Sequence, residues 1–593
     1  MAAVVETASP VQVFASESKD ACLDDDGLPC SSLVYGYGPL LEAVQMLSVY
    51  LDSKSFVDKP LKNREIDAVL ADFEELKSRE QLTNENVKDF VNQNFLPIGS
   101  ELVEYRPPDW KSVENGGLPL IKEIEDEELK KFAELIHNKW ETLGRVFQPW
   151  VSDQPTHNSL IPVPYPFIIP GGRFREIYYW DSFWIIQGLL VSGMHVTARG
   201  MILNCVALIN RFGHVPNGNR IYYMKRSQPP FLALMVDAYR LHRNVPEDDR
   251  ASIISEVLPA LEREHAFWMK KRAVSVTTSE GETFTLNVYR GGIRCPRPES
   301  YREDKEHAHH LDGLRTPADF FTNVAAGCES GWDFSTRWLD DPLTSDFGTI
   351  RTEDIVPVDL NAYIYTQEYL LSEFYELTGN MEKSKYYADL ATERADAIQA
   401  VFWNDEKKMW RDYDLKHGRQ REEFYIAHVA PLFARCRGSK VDVTETGFML
   451  EVIVSEDIQK VTSYLGGFPC SFIEYVRPTC QWDYPNAWPP MQMMLIESFA
   501  ANPDLRSAVI AWAQKWLNVV YSGFKGSGYF YEKYDVNNPG AYGGGGEYVV
   551  QEGFGWTNGG ILRLLELFPT ELTAGDVAVG MRRGTSFSKV NLH

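Results

Sequence analysis

NAYIYTQEYLLSEFYELTGNMEKSKYYADLATERADAIQAVFW, residues 361–403, is the stretch that decides how this chain folds. It reads as two helices, 361–378 and 381–403, broken at Thr378-Gly379-Asn380, where glycine suits the left-handed residue that ends a helix. In the second helix Tyr387, Leu390, Ala391, Ile398, Val401 and Phe402 share one face, with Glu393 and Arg394 opposite. Such a hairpin cannot bury its apolar stripes alone, and the pattern recurs. Segments 182–191, 198–212, 229–241, 251–271, 425–434, 444–454, 490–501, 505–522 and 557–567 also read as helices. Upstream, 40–51, 66–76 and 123–143 join them, the last with Leu129, Phe132, Leu135, Ile136 and Trp140 on one stripe. Strand character is confined to 275–289, which alternates around Gly281. Short turns alternate with long, aromatic, glycine-rich loops. That alternation predicts an all-α toroid of helical hairpins with function on the long-loop face.

The chain has 593 residues, and no linker divides it, so we expect a single domain over 34–568. Residues 1–33 read as a disordered N-terminal tail and 569–593 as a polar C-terminal tail. A net charge of −24 disfavours nucleic acid as a partner. The longest apolar run, 183–196, is interrupted by Gln187, Gly188 and Gly193, so no membrane span and no obligate membrane contact are expected. The N-terminus lacks a basic region before an apolar one, and no Asn-x-Ser/Thr acceptor occurs; both absences favour the cytoplasm. Eight cysteines without a Cys-x-x-Cys pair argue against zinc and against a dense disulfide framework, although Cys470 and Cys480 could pair across a loop. His307-Ala308-His309-His310 lacks matching acid or thiol spacing and reads as an exposed polar loop.

Aromatic residues make up 13% of the chain, and many sit in Gly/Pro-rich loops where packing is not their default role. PGGRFREIYYWDSFW (170–184) sets Arg173, Arg175 and Glu176 beside six rings. A sugar needs that mixture: flat faces against its C–H surfaces and charged forks for its hydroxyls. Similar chemistry recurs at 214–230, 294–301, 326–337, 481–490 and 529–560. Arg173, Arg226 and Arg297 each lie in a turn beside Gly or Pro, as forks that could hold vicinal hydroxyls. Glycosidic cleavage also needs two carboxyl groups. Asp333 suits one role, since Gly331 permits close approach and Trp332 and Phe334 desolvate it. Glu532 and Glu547 are both candidates for the other, and spacing does not choose between them. The run 543–546 lacks the Gly-Lys-Ser/Thr ending of a phosphate loop and suits a mobile lid.

The segments at 170–183 and 481–490 (QWDYPNAWPP) resemble the two signatures of trehalases, glycoside hydrolase family 37, and the likeness extends from VYGYGPLL (34–41) to about residue 568. The resemblance implies an (α/α)6 barrel and hydrolysis of α,α-trehalose to two glucose molecules with inversion, without metal or organic cofactor. It implies Asp333 as general acid, Glu532 as general base and Glu547 as a substrate contact on the lid. The substrate grip it implies is Arg173, Trp180, Asp181, Asn217, Arg226, Ser227, Gln228, Arg297, Pro298, Glu299 and Gly331. Trehalose is the expected small-molecule partner, and no protein partner is implied.

Overall fold

The hairpin read at 361–403 forms as helices Val358–Leu377 and Met381–Phe402, and the turn between them passes through Gly379 at φ 81°. One assignment on it changes. Arg394, read as part of the solvent face, is buried and donates to both oxygens of Glu368 at 2.8 Å and to Asn287 Oδ1 at 2.9 Å. A long side chain can turn its charge inward when a carboxylate waits there. The computed structural model describes residues 34–575 except 312, 314, 344, 345, 475–478, 549, 550 and 552. The tail expected over 1–33 and most of that over 569–593 therefore lie outside the described residues.

Six helices make an inner ring: Asp181–Val191, Leu232–Leu241, Val358–Leu377, the short Ala430–Phe433, Pro489–Ala500 and Gly555–Leu567. Each packs on the next in that order, and the last packs on the first. Helices Glu127–Leu143, His195–Phe212, Glu247–Lys271, Met381–Phe402 and Arg506–Ser527 flank them outside, and Thr446–Ile453 with Glu456–Val461 take the corresponding chain position. This is the (α/α)6 barrel.

The two rings differ in sequence because they differ in environment. All eleven residues of Asp181–Val191 are buried, as its nearly unbroken apolar sequence requires of a helix with neighbours on every side. Glu127–Leu143 buries one stripe, Leu129, Phe132, Ile136, Trp140 and Leu143. Leu135, expected on that stripe, is 45% exposed; six residues on from Leu129, it falls roughly 120° around the axis.

The inner helices all begin at the same mouth, each after a long loop. The longest, 273–357, starts with a hairpin whose strands Ala273–Thr277 and Thr283–Asn287 pair antiparallel, close to the expected 275–289. N-terminal helices Pro39–Met46, Lys54–Val57, Ile66–Arg79 and Asn84–Asn94 bury a second, smaller core that includes Tyr178, Tyr222, Tyr223 and Tyr301 from the mouth. A buried ionic cluster joins the two bodies of packing: Lys54 Nζ lies 2.5 Å from Asp58 and 2.6 Å from Glu176, and Arg220 meets Glu176 at 3.3 Å and Glu101 at 3.1 Å. Cys470 is a free, buried thiol, so the pairing of Cys470 with Cys480 does not form, whereas Cys295 is disulfide-bonded.

Candidate active site

One cavity at the mouth draws on five of the six loops. Its walls include Arg173, Trp180, Asp181, Asn217, Arg226, Gln228, Arg297, Glu299, Gly331, Asp333, Glu532 and Glu547. Two residues of the expected set are not among them. Ser227 faces the scaffold, its N–H donating to Glu329 Oε1 at 2.9 Å and its hydroxyl to the Val215 carbonyl at 2.7 Å. Pro298 opens the short turn Pro298–Ser300 and serves to bend the chain between two lining residues, Arg297 and Glu299.

The floor is tryptophan. Trp482 and Trp488 stack at 3.9 Å, Trp332 stacks on Trp482 at 5.0 Å, Trp180 lies tilted against Trp482 at 5.7 Å, and Trp556 closes the group edgewise on Trp488. Gly331 is required here: its φ is 74°, and a Cβ would lie 2.8 Å from the Trp180 ring. Asp333 follows at the end of the turn that terminates helix Pro317–Glu329. Burial over this apolar floor raises its carboxyl to about 7, against the pull of Arg297 and Arg226 and with help from Glu547. The Arg297 guanidinium sits 5.1 Å above the Phe334 ring.

Glu532 lies just before strand Tyr534–Asp535, which pairs with Asn486–Ala487 of the second signature. It is 2% exposed. Burial holds its carboxyl above the ordinary range, and Lys533, the hydrogen bond from Tyr548 and Arg173 offset only part of that rise. The Tyr548 hydroxyl donates to Oε1 at 2.8 Å; Oε2 has no hydrogen-bond partner among the described residues, and Lys533 Nζ stands 3.9 Å from it. Glu547 differs. Burial favours its neutral form, but Arg297 Nη2 at 3.0 Å and Ser300 Oγ at 2.8 Å outweigh burial and hold the carboxyl below its ordinary range. Asp181 is raised well above its ordinary value by burial and by the charges of Glu532 and Asp333.

The arginines are held by partners of their own. Arg226 donates to Glu299 Oε1 at 2.5 Å and to Asn217 Oδ1 at 2.8 Å, and Arg297 to Asp304 Oδ1 at 2.6 Å. The Arg173 backbone N–H donates to Gln551 Oε1 at 2.7 Å, and its guanidinium Nη2 lies 3.5 Å from Asp52 Oδ1. Fixed forks of this kind bind hydroxyls without first being ordered.

Several lining residues were not singled out in the sequence. Asp52, Ser53 and Lys54 come from the N-terminal helices and carry no local signal. Gln481 lay within a quoted loop without a role. Its amide donates to the Asp333 carbonyl at 2.8 Å, and its oxygen accepts from Lys533 Nζ, tying the loop of one carboxylate to that of the other. The cluster read as an exposed polar loop begins on helix Tyr301–Ala308 instead, where His307 packs 4.8 Å from Phe347. Among the described residues, no three His, Cys, Asp or Glu side chains are grouped to hold a metal, and no helix is long and apolar enough to cross a membrane.

The trehalase family model matches residues 48–569. Trehalases of Oryctolagus cuniculus and Homo sapiens are each 40% identical to this chain, covering 92% of it and 92% and 91% of their own lengths. The trehalase of Dictyostelium discoideum is also 40% identical over 92% of the chain and 91% of its own. Among solved structures, neutral trehalase of Saccharomyces cerevisiae superposes with a TM-score of 0.55 at 23% identity, covering 68% of this chain and 74% of that one.

Proposed function

As the chain belongs to the trehalase family of glycoside hydrolases, we propose that it hydrolyses α,α-trehalose by inversion, with Asp333 as general acid and Glu532 as general base. The observation that carries this reading is the contrast between two carboxyl groups on one cavity. Asp333 holds its proton up to about pH 7. Glu532 has one oxygen anchored and the other unpartnered beside a lysine. Glu547, the competing candidate, is committed to Arg297 and Ser300 and suits a role in gripping substrate.

The Asp333 proton passes to the bridging oxygen as the C1–O bond breaks, and an oxocarbenium-like centre develops at C1. Water attacks that carbon from the opposite face and gives its proton to Glu532 Oε2. One glucose leaves as the α anomer and the attacked one forms as β. Inversion requires the two carboxyl groups to stand about 6.5–9.5 Å apart, with room for that water. Arg173, Arg226 and Arg297 would hold the hydroxyls, and the tryptophan floor would supply the flat contact a pyranose needs.

A coupled glucose assay on Asp333→Asn and Glu532→Gln, with proton NMR of fresh product from the wild type, tests this. Each substitution should reduce kcat by roughly two to four orders of magnitude, and the first product signals should be α and β in equal amounts. Normal turnover in either variant removes that residue from its role. Two α anomers would exclude inversion, and dependence on added phosphate would indicate phosphorolysis.

A further inference from the structure

The glycine run 543–546 ends in two adjacent residues that grip different parts of the cavity. Glu547 binds Arg297 and Ser300, on the side that bears Asp333. Tyr548 reaches Glu532. We propose that Tyr548 is a positioning residue, fixing Glu532 Oε1 so that Oε2 alone is presented to water, and that the seated glycine strap supplies this bond. The inference rests on Glu532 being the base.

The ring has little freedom to turn. Phe174 meets it edge-on at 5.2 Å, and the Arg173 guanidinium lies 4.9 Å over its face. The strap beneath is held through its own backbone: the Asn486 side chain accepts from Gly544 N at 3.0 Å and donates to Gly544 O at 2.8 Å, and Gly543 N donates to Lys533 O at 3.0 Å. Tyr548 therefore arrives at Glu532 as part of a fixed strap rather than as a free rotor. Burial and the neighbouring Glu532 charge raise the phenol well above its ordinary range, so it remains a donor at every working pH. A carboxylate with both oxygens free would rotate and share the water between them; with one oxygen tied, a single lone-pair direction remains.

The groups that face Glu532 are Tyr548, the cations Lys533 and Arg173, and the acid Asp181; Asp333 lines the same cavity. A hydrogen bond to the ionised carboxylate lowers its pKa, so losing that bond moves the acid limb of the pH profile upward.

Tyr548→Phe keeps the ring and deletes the donor. We expect kcat to fall about tenfold to a hundredfold, KM to change less than about threefold, and the acid limb of kcat/KM to rise by about one pH unit. Tyr548→His, which retains an N–H donor, should recover part of the lost turnover. Glu547→Gln should raise KM and leave the acid limb in place. A Tyr548→Phe enzyme with wild-type kcat and an unmoved acid limb, or with only KM altered, overturns the positioning role. Glu532→Gln is assayed beside it. Turnover surviving there would refute the base assignment itself, whereas an inactive Glu532→Gln with an unperturbed Tyr548→Phe refutes this inference alone.

Discussion

A carboxyl held near pH 7 makes Asp333 sensitive to its neighbours, and the sign of each influence can be tested. Rising pH removes its proton, so kcat/KM should decline above about pH 7, approaching tenfold per unit. Glu547 adds to that raised value by its negative charge and Arg297 opposes it. Glu547→Gln should therefore move the basic limb downward, because one repulsive charge is lost and Arg297 is released toward Asp333; a limb that moves upward would contradict this electrostatic account. The prominence of Asp333 was readable from its sequence neighbours, since Gly331, Trp332 and Phe334 announce a close, desolvated approach. The choice between Glu532 and Glu547 was not. Both sit among tyrosines and glycines, and what separates them is Arg297, 250 positions from Glu547 in the chain. Lys533 and Gln481 went unread for a similar reason: each does its work through a partner that only folding brings near.

Among the elements, helix Glu247–Lys271 shows how the outer ring fixes the inner one. From it Glu264, fully buried, accepts from Tyr179 Oη at 2.6 Å and from Gln367 Nε2 at 2.8 Å, and the same tyrosine oxygen accepts from Leu232 N at the start of an inner helix. Burial raises the Glu264 carboxyl from 4.5 to about 7. Below pH 4.5 it is neutral in both the folded and the unfolded chain. Between there and about 7 only the unfolded chain ionises, so this group lowers stability as pH rises. Thermal midpoints of Glu264→Gln and wild type, compared from pH 5 to 8, should shift progressively in favour of the variant; a pH-independent difference would show that Glu264 does not titrate in that window. Hairpins were legible at this scale because their stops and stripes are local. The two-residue ladders at Trp403–Asn404 and Met409–Trp410 were missed, being too short to set up an alternation. Arg394 was misassigned because periodicity reports a direction around the axis and says nothing of a carboxylate waiting on the neighbouring helix.

In the molecule as a whole, the toroid was foreseeable from alternating short and long connections, but the wall contributed by Asp52, Ser53 and Lys54 was not. Nothing near residue 50 carries site chemistry. The wall exists because Lys54, almost fully buried, is the partner of both Asp58 and Glu176, the latter in the first signature. Replacing Lys54 by methionine would leave those carboxylates with Arg220 as their remaining ionic partner. We expect a loss of roughly 3 kcal/mol in stability, read as a lower thermal midpoint. A raised KM should accompany it at temperatures where the variant is still folded, because Asp52 and Ser53 then lose their seat. Unchanged KM would separate the N-terminal helices from substrate recognition.

The circle closes only when Gly555–Leu567 reaches Asp181–Val191. During synthesis, then, the ribosome releases a chain whose ring remains an open arc until its last helix emerges, long after the first signature and Asp333 have been made. Products of truncated messages that end before that helix should be inert. A chain cut in an exposed loop should likewise be silent as halves and awaken when the halves meet, the geometry a split reporter requires.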